Sequence, residues 1–239
     1  MKPFLILLML ASTITASAQS LWTSAGAKGD VNKRLSLTAE AEYRTTDQLK
    51  ATDRWDIGVG AQYKILKWLK AGAAFTFIDQ REPLEVTKKG NIIPSYWQPK
   101  YRYSVGLTGS YTISRLELSL REQVQFTHRT SQYVSKYSSS GAAKDDEYIS
   151  SKTKTKLRSR LKAEYNIRKC PLTPFASFEI YNSLNDDMHT DKIRVTAGAD
   201  WRINKHNYIE LYYRYIDHSD DDEPHGNIIG VGYTYKFRF

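Results

Sequence analysis

The sequence predicts an all-β chain that closes into an antiparallel barrel of 10 to 12 strands, and three observations support this fold class. First, apolar and polar residues alternate in successive segments, as from Leu35 to Tyr43, and a repeat of two residues is that of a β-strand. Second, the gaps between these segments are alternately short and long, as in barrels that span a membrane. Third, the polar positions carry recurrent glycines, among them Gly58 and Gly60, which a crowded barrel interior requires and a solvated outer face does not.

The alternating segments follow one another to the end of the chain without a linker, so we expect a single barrel domain over residues 19–239. In chain order, the main segments are 35–43, 55–63, 69–77, 101–111, 116–126, 157–165, 176–180, 193–201, 209–215 and 229–239. A weaker segment at 21–28 brings the candidate strands to eleven. Because single-chain bacterial barrels usually have an even number of strands, either this segment does not span or one strand is missing from the prediction.

The gap lengths predict which strand ends face which side of the membrane. Outer-membrane barrels have short turns in the periplasm and long loops outside the cell. The short gaps near Leu66, Ser114 and Asn204 are therefore expected at the periplasmic rim. The long gaps at 82–99, 131–152 and 217–226 are expected outside, as loops.

The apolar face of each strand is predicted to face lipid. A soluble up-and-down barrel or a sandwich would also alternate, but here aromatic residues cluster at the ends of the apolar stripes. The stripe from Trp55 to Tyr63 covers eight residue steps, roughly 26 Å of strand, which a tilt of about 40° reduces to the height of the band between two aromatic girdles. Four short turns repeat the pattern of Tyr63-Lys64-Ile65, followed by Lys or Arg, which suits the headgroup boundary.

Residues 1–18 are predicted to be a cleaved secretory signal peptide. Lys2 precedes an apolar run from Phe4 to Ala11, and Ala16-Ser17-Ala18 supplies the small residues of a cleavage site before Gln19. The apolar run is less than half the length of a membrane-spanning helix, which argues against the alternative of a short anchor. We expect export to the outer membrane of a Gram-negative bacterium, and export argues against nucleic acid as a partner.

The composition excludes several kinds of site. One cysteine, Cys170, cannot form an internal disulfide, and a single thiol without a Cys/His cluster is too few for a structural zinc site. We expect no metal and no cofactor. The formal net charge of +9 is compatible with several anionic partners, so the positions of the charges have to decide between them.

The C-terminal segment alternates aromatic and other residues and ends in Phe. It resembles the assembly signal of bacterial outer-membrane barrels, which implies outer-membrane lipid and the barrel-assembly machinery as partners; the signal residues would be Tyr233, Tyr235, Phe237 and Phe239. Segments 171–175 (PLTPF), 200–205 (DWRINK), 212–215 (YYRY) and 227–233 (NIIGVGY) are similar to a Bacteroidetes family of outer-membrane barrels known only as domain of unknown function 2490. The resemblance covers nearly the whole mature chain and implies a fold and a location, but no activity.

One predicted strand carries basic residues at five successive inward positions, and an inward charge must meet water or a counter-charge. The residues expected to form a charge network in the lumen are Lys154, Lys156, Arg158, Arg160, Lys162, Arg194, Arg202, Arg214, Glu40, Glu42, Glu179 and Glu210. Such a network either fills a narrow barrel and fixes its shape or, since inward basic residues exceed the acids, lines an anion-favouring lumen. Glu122 falls on the lipid-facing side, and a bulge or a change of register there would explain it.

Two other function classes are compatible with the sequence. A lipid-modifying enzyme of the phospholipase or deacylase type needs a converging Ser, His and acid, and the nearest candidate is the loop segment His218-Ser219-Asp220. A surface-exposed binding or adhesion barrel would use long-loop residues such as Tyr133 and Tyr137. The acidic residues between 217 and 223 suit Ca²⁺ chemically but match no calcium-loop spacing. We predict a non-enzymatic, porin-like barrel, either a structural barrel or a narrow anion-tolerant conduit whose solute the sequence does not name.

Overall fold

The alternating segments form strands that close into one barrel, and this confirms the predicted fold class. The computed structural model describes residues 20–46, 49–218 and 225–238. The strands are β1 Ser20–Asp30, β2 Leu35–Thr46, β3 Ala51–Lys64, β4 Leu69–Glu82, β5 Glu85–Val86, β6 Ile92–Ile93, β7 Tyr96–Ile113, β8 Leu116–Arg129, β9 Gln132–Tyr137, β10 Ala143–Ile149, β11 Lys152–Tyr165, β12 Leu172–Ser183, β13 Thr190–Arg202, β14 Asn207–His218 and β15 Gly226–Arg238. Eleven of them form the closed barrel, and β5, β6, β9 and β10 form a separate sheet. Within the described residues, no helix is long and apolar enough to cross a membrane.

An odd number of strands closes the barrel. Neighbouring strands run antiparallel, except that β1 pairs parallel with β15, from Ser20 opposite Ile228 to Asp30 opposite Arg238. An odd count makes one parallel pair unavoidable, because the first and last strands then run in the same direction. The expectation that segment 21–28 does not span, or that a strand is missing, is wrong: β1 is an 11-residue strand that also pairs with β2.

The two rims of the barrel differ in the way the gap lengths predict. Among the described connections, the short-turn rim carries 31–34, 65–68, 114–115, 166–171 and 203–206, and the long-loop rim carries 83–95, 130–151 and 184–189. In the first short turn, the Asn32 side chain accepts hydrogen bonds from the amides of Arg34 and Leu35, at 2.8 and 2.9 Å. A side chain that satisfies its own turn in this way is the reason Asn is favoured there.

The outer wall of the barrel is apolar around its circumference. Large apolar side chains exposed there include Leu37, Val59, Val105, Leu107, Leu120, Leu161, Phe178, Val195, Leu211 and Val231. Tyr63, Tyr111 and Tyr165 are exposed next to the short-turn rim. An exposed apolar band bordered by aromatic residues is the surface that a transmembrane barrel presents to lipid.

Glu122 lies on this outer wall without any irregularity in β8. The register is continuous on both sides, with Leu107 and Ser159 opposite Glu122, so the expected bulge or change of register is wrong. Instead, the Ser159 hydroxyl donates a hydrogen bond to the Glu122 carboxylate at 2.6 Å.

Two long connections form a sheet of their own beyond the barrel. The segment expected to be a loop at 131–152 contains β9 and β10, which pair as a hairpin with Tyr133 opposite Tyr148. The connection between β4 and β7 supplies β5 and β6, and Ile92 of β6 lies opposite Tyr137 of β9. The expectation of a loop is wrong here, because these segments form strands by pairing between two hairpins that are distant in the sequence.

Two glycines on the inward face, Gly198 and Gly230, lie where the interior is crowded. A Cβ atom added to Gly230 would overlap the ring of Tyr212, and one added to Gly198 would meet the backbone oxygen of Leu211. These two positions show why the inward face needs residues without a side chain. They agree with the prediction that the polar face of the strands is the barrel interior.

Candidate functional site

The strand register brings one buried carboxylate into contact with three arginines inside the barrel. Glu179 of β12 lies opposite Arg160 of β11 and Arg194 of β13. Arg158 donates two hydrogen bonds to its carboxylate, at 2.7 and 3.0 Å, and ion pairs of 3.9 and 3.6 Å join it to Arg160 and Arg194. Glu179 is only 2% exposed. A carboxylate removed from water in this way depends on its charged partners, so Glu179 connects three neighbouring strands on the inner face of the barrel.

Tyr181 extends this network toward the long-loop rim. Its hydroxyl donates to Glu179 at 3.0 Å and accepts a hydrogen bond from Arg194 at 2.6 Å. The charged groups of Lys192, Arg194 and Arg158 lie 4.3, 4.9 and 5.2 Å from the centre of its ring. Cations at these distances are attracted to an aromatic face, so the ring holds three like charges near one another.

Trp22 is a second ring that contacts arginines of the lumen, and the Arg194 guanidinium beside Tyr181 lies 5.6 Å from its centre. The Arg44 guanidinium lies 3.5 Å from the centre of its ring, and that of Arg214 lies 5.0 Å away. Trp22 is 1% exposed and packs with Ile216 and Ile228 in a buried apolar cluster. The lumen is therefore filled with side chains near the long-loop rim.

An enclosed chamber of about 90 Å³ lies among these side chains. Its lining consists of Arg44, Arg102, Gln125, Thr127, Lys154, Lys156, Arg158, Tyr181, Lys192 and Arg194. Seven of these ten residues are Lys or Arg, and none of the lining residues is Asp or Glu. Lys154 and Lys192 lie close to the first residues of β11 and β13, which places the chamber in the long-loop half of the lumen.

No carboxylate lines the chamber, but acidic residues pair with some of its basic side chains. Lys156 forms an ion pair with Asp191 at 3.0 Å, and Arg44 forms one with Glu42 at 2.5 Å. Arg102 donates a hydrogen bond to the Thr127 hydroxyl at 3.0 Å. Asp191 and Glu42 thus hold Lys156 and Arg44 in place, while the lining itself is positively charged.

The short-turn half of the lumen is open. A cavity of about 610 Å³ at that rim, which we call the vestibule, is lined by Lys28, Asp30, Asn32, Lys33, Arg34, Leu35, Ser36, Gln62, Lys64 and Lys70. Inward positions above it are small on one side, including Gly58, Gly60 and Gly72, and Glu40 is exposed to this space. The vestibule is cationic but open to solvent, unlike the chamber.

Comparison with known proteins places this barrel in a family. A family described as "Protein of unknown function (DUF2490)" matches residues 19–224. The chain belongs to the DUF2490 family. No curated protein matches it.

The DUF2490 barrel is similar in structure to the β-domain of the Bordetella autotransporter BrkA. The TM-score is 0.54 at 13% identity, over 83% of this chain and 78% of that one. At this identity the similarity concerns the fold alone, a closed β-barrel.

The DUF2490 barrel brings most of the residues predicted for the lumen network to its inner face, but not into one cluster. Glu179 collects Arg158, Arg160 and Arg194, as described above. Of the others, Lys154 and Lys156 line the chamber. Glu42 pairs with Arg44, Lys162 pairs with Glu164 at 2.8 Å, and Arg214 donates a hydrogen bond to the Thr196 hydroxyl at 3.0 Å. Glu40 and Glu210 lie on inward positions of β2 and β14, and Arg202 is exposed at the short-turn rim.

Sequence reasoning missed Trp22, Arg44, Tyr181 and Lys192. Trp22 belongs to β1, whose alternation is weak, and Arg44 and Lys192 lie just beyond the apolar stripes from which their strands were recognised. Continuing the inward parity to the full length of each strand would have identified all three. Tyr181 also has inward parity on β12, one step beyond Glu179.

Of the sequence candidate His218-Ser219-Asp220, only His218 belongs to the described residues, and the neighbouring His225 lies 3.6 Å from the carboxylate of Asp217 near the long-loop rim. Ser159 and Glu122 are paired on the outer wall, but the nearest histidine on that strand, His128, contacts the Thr153 hydroxyl at 3.0 Å. Six residue steps separate Glu122 from His128, about 20 Å along the strand. Residues 219–224, with most of the acidic cluster, lie outside the described residues, as do 1–19 and Phe239. The described part of the chain holds no group of three metal-ligating side chains.

Proposed function

We propose that this DUF2490 protein is a non-enzymatic barrel of the bacterial outer membrane whose lumen accepts small anions and is closed to larger solutes. The observation that carries the proposal is the chamber, where seven of ten lining residues are cationic and none is acidic. A narrow, low-dielectric space lined by one sign of charge concentrates the counter-ion and repels ions of its own sign.

The packing of the long-loop half supports the closed state. Trp22, Gln98, Ile78 and Ile216 all point into this half and are at most 1% exposed. Gln98 donates to the Thr130 carbonyl oxygen at 3.0 Å and accepts a hydrogen bond from Gln132 at 3.2 Å. A solute larger than a small ion would have to displace these side chains.

The orientation in this proposal places the short-turn rim in the periplasm and the long-loop sheet outside the cell, which agrees with the general asymmetry of outer-membrane barrels. Protease treatment of intact cells tests it. Cleavage in the turn between β9 and β10, around residues 138–142, is expected before the membrane is permeabilised. Cleavage there only after permeabilisation would reverse the orientation and contradict the proposal.

Planar-bilayer recordings test the anion preference. The wild-type barrel is expected to show little current. Trp22→Ala removes one of the large side chains that fill the long-loop half of the lumen, so this variant should conduct, with anions as the main charge carriers. Tyr103→Ala, a matched aromatic truncation on the outer wall, should leave the current unchanged. In the Trp22→Ala background, adding Arg158→Glu and Arg160→Glu should move the reversal potential toward cation preference.

Two results would overturn this proposal. A wild-type current that cations carry would contradict the charge of the chamber. Silence of both the wild-type protein and a correctly folded Trp22→Ala variant would favour a purely structural barrel, whose internal ion pairs only fix its shape.

A further inference from the structure

The chamber is, we propose, a binding site for one compact, multiply charged oxyanion of the size of inorganic phosphate or sulfate. This inference rests on the proposed anion-accepting lumen and names the ligand class of its most enclosed part. It is carried by three properties of the chamber: its hydrogen-bonding groups, its charge and its size.

The hydrogen-bonding groups of the lining are mostly donors. Guanidinium and ammonium groups have donors and no acceptor, and seven of the ten lining residues are of these two kinds. The hydroxyl of Tyr181 is already used between Glu179 and Arg194. A ligand that fits this lining must therefore consist largely of acceptors, as an oxyanion does.

The charge of the lining favours a multiply charged ligand over a halide. Glu42, Glu179 and Asp191 form ion pairs with residues of the chamber and lie outside its lining. Arginines present paired N–H groups that match two oxygens of one phosphate or sulfate. Five of the seven cations come from β11 and β13, the two strands that flank β12, so side chains from more than one strand can contact one tetrahedral ion at several oxygens.

The size of the chamber limits the ligand to a small ion. A space of about 90 Å³ exceeds what one water molecule needs, so it has room for one tetrahedral oxyanion together with a few waters. Nucleotides, which carry a base and a sugar beside their phosphates, are too large. A lipid headgroup is also excluded, because its attached chains cannot enter an enclosed space inside the barrel, and the ligand is therefore the free ion.

The vestibule provides an internal control. It is also cationic, with Lys28, Lys64 and Lys70 among its lining, but it contains Asp30 and is about 610 Å³ in volume and open. Water and salt screen charges in such a space. An ion attracted only by the overall positive charge of the lumen would respond to both regions alike, whereas a specific site responds only to the chamber.

The test is isothermal titration calorimetry of the full chain, folded in micelles of a phosphate-free detergent, with inorganic phosphate, sulfate, chloride or glycerol 3-phosphate as probe. Phosphate and sulfate should bind with one ion per barrel. Chloride at equal ionic strength should give no saturable heat, and glycerol 3-phosphate, which mimics the headgroup, should bind at least tenfold more weakly. Lys154→Gln and Lys192→Gln should each weaken phosphate binding about tenfold or more.

Matched variants separate a specific site from general attraction. Lys70→Gln removes the same charge from the vestibule and should change the phosphate dissociation constant less than twofold, and Lys154→Arg should retain binding. Equal weakening in the Lys154→Gln and Lys70→Gln variants would overturn the proposal, as would the absence of saturable heat from wild-type barrel whose fold is verified by circular dichroism. If Lys154→Gln does not fold, Arg102→Gln gives the same test from β7.

The failure of this inference is distinguishable from failure of the proposed function. An anion-carried current in the Trp22→Ala variant without phosphate binding would contradict the phosphate site but not the proposed function. Phosphate binding in a barrel that never conducts would support the phosphate site and contradict the proposed function.

Discussion

The two halves of the lumen treat the same kind of side chain in opposite ways. In the long-loop half, Arg54, Glu179 and Arg194 are at most 5% exposed and are held by ion pairs and aromatic rings. In the short-turn half, Lys64 and Glu40 are exposed to the space of the lumen. The lumen is therefore closed where large side chains surround the charged residues, and it is open where glycines face them.

This difference shows that inward charge alone does not determine whether a barrel conducts. Buried charges need partners of fixed geometry, and once those are present they make a rigid structure. Charges in an open vestibule are stabilised by water and bring little rigidity. The same substitution of a charged residue should therefore lower the free energy of unfolding more in the long-loop half than in the short-turn half.

The largest expected effect is that of Glu179→Gln. Removal of this charge leaves Arg158, Arg160 and Arg194 without their shared carboxylate, which should lower the free energy of unfolding by about 3 to 5 kcal/mol. The matched variant Glu40→Gln, in the open half, should cost less than about 1 kcal/mol. Denaturant titrations in lipid vesicles measure both. Similar costs for the two variants would mean that the halves do not differ in this way.

The fold could be predicted from the sequence because period two is a local property. The segment 35–43 fixes which residues of β2 face outward, and the observed register agrees, with Leu37 opposite Ala61. The parallel closure between β1 and β15 could not be predicted, since it depends on the strand count of the whole chain. The β9–β10 hairpin was missed because β10, with Lys144, Asp145 and Asp146 in succession, lacks an apolar alternation.

The candidate site was predictable in composition but not in arrangement. The five inward basic residues of β11 follow from parity, and the structure places all of them inside the barrel. Which carboxylate they meet depends on the offset between neighbouring strands, and sequence parity does not contain that offset. The choice of Glu179 rather than Glu40 as the shared partner is a consequence of register.

The second expected effect compares the outer wall with the open half of the lumen. Val59→Arg places a charge on the lipid-facing side of β3 and should cost about 2 to 4 kcal/mol, as should Leu118→Arg on β8. Gln62→Arg and Ser119→Arg face the lumen on the same strands and should cost less. The same unfolding titrations apply, and equal penalties inside and outside would show that the polar face does not enclose a water-filled space.

The third expected effect compares packing in the two halves. Gly230→Ala would force the added methyl group against the Tyr212 ring, which should cost about 1 to 3 kcal/mol. At Gly72 in the open half, the nearest atoms to an added Cβ are 3.7 Å away, so Gly72→Ala should be neutral within about 0.5 kcal/mol or slightly stabilising. A large cost at Gly72 would indicate that this half is also closely packed.

The smallest expected effect has the opposite sign and concerns Glu122, a carboxylate on the lipid-facing wall. Glu122 has the Ser159 hydroxyl as a hydrogen-bond donor, whereas Glu179 is surrounded by arginines. A charge that faces lipid is unfavourable, less so for an acid than for Lys or Arg. Glu122→Leu should therefore stabilise the isolated barrel by about 1 kcal/mol.

Ser159→Ala is the control for this last prediction. It removes the donor but keeps the carboxylate, so it should destabilise the barrel by about 1 kcal/mol. Unfolding titrations in vesicles of neutral lipid measure both variants. If Glu122→Leu instead destabilises the barrel, the carboxylate has a favourable contact in the membrane beyond Ser159, and the outer wall at β8 would then be a surface for association rather than a surface for lipid alone.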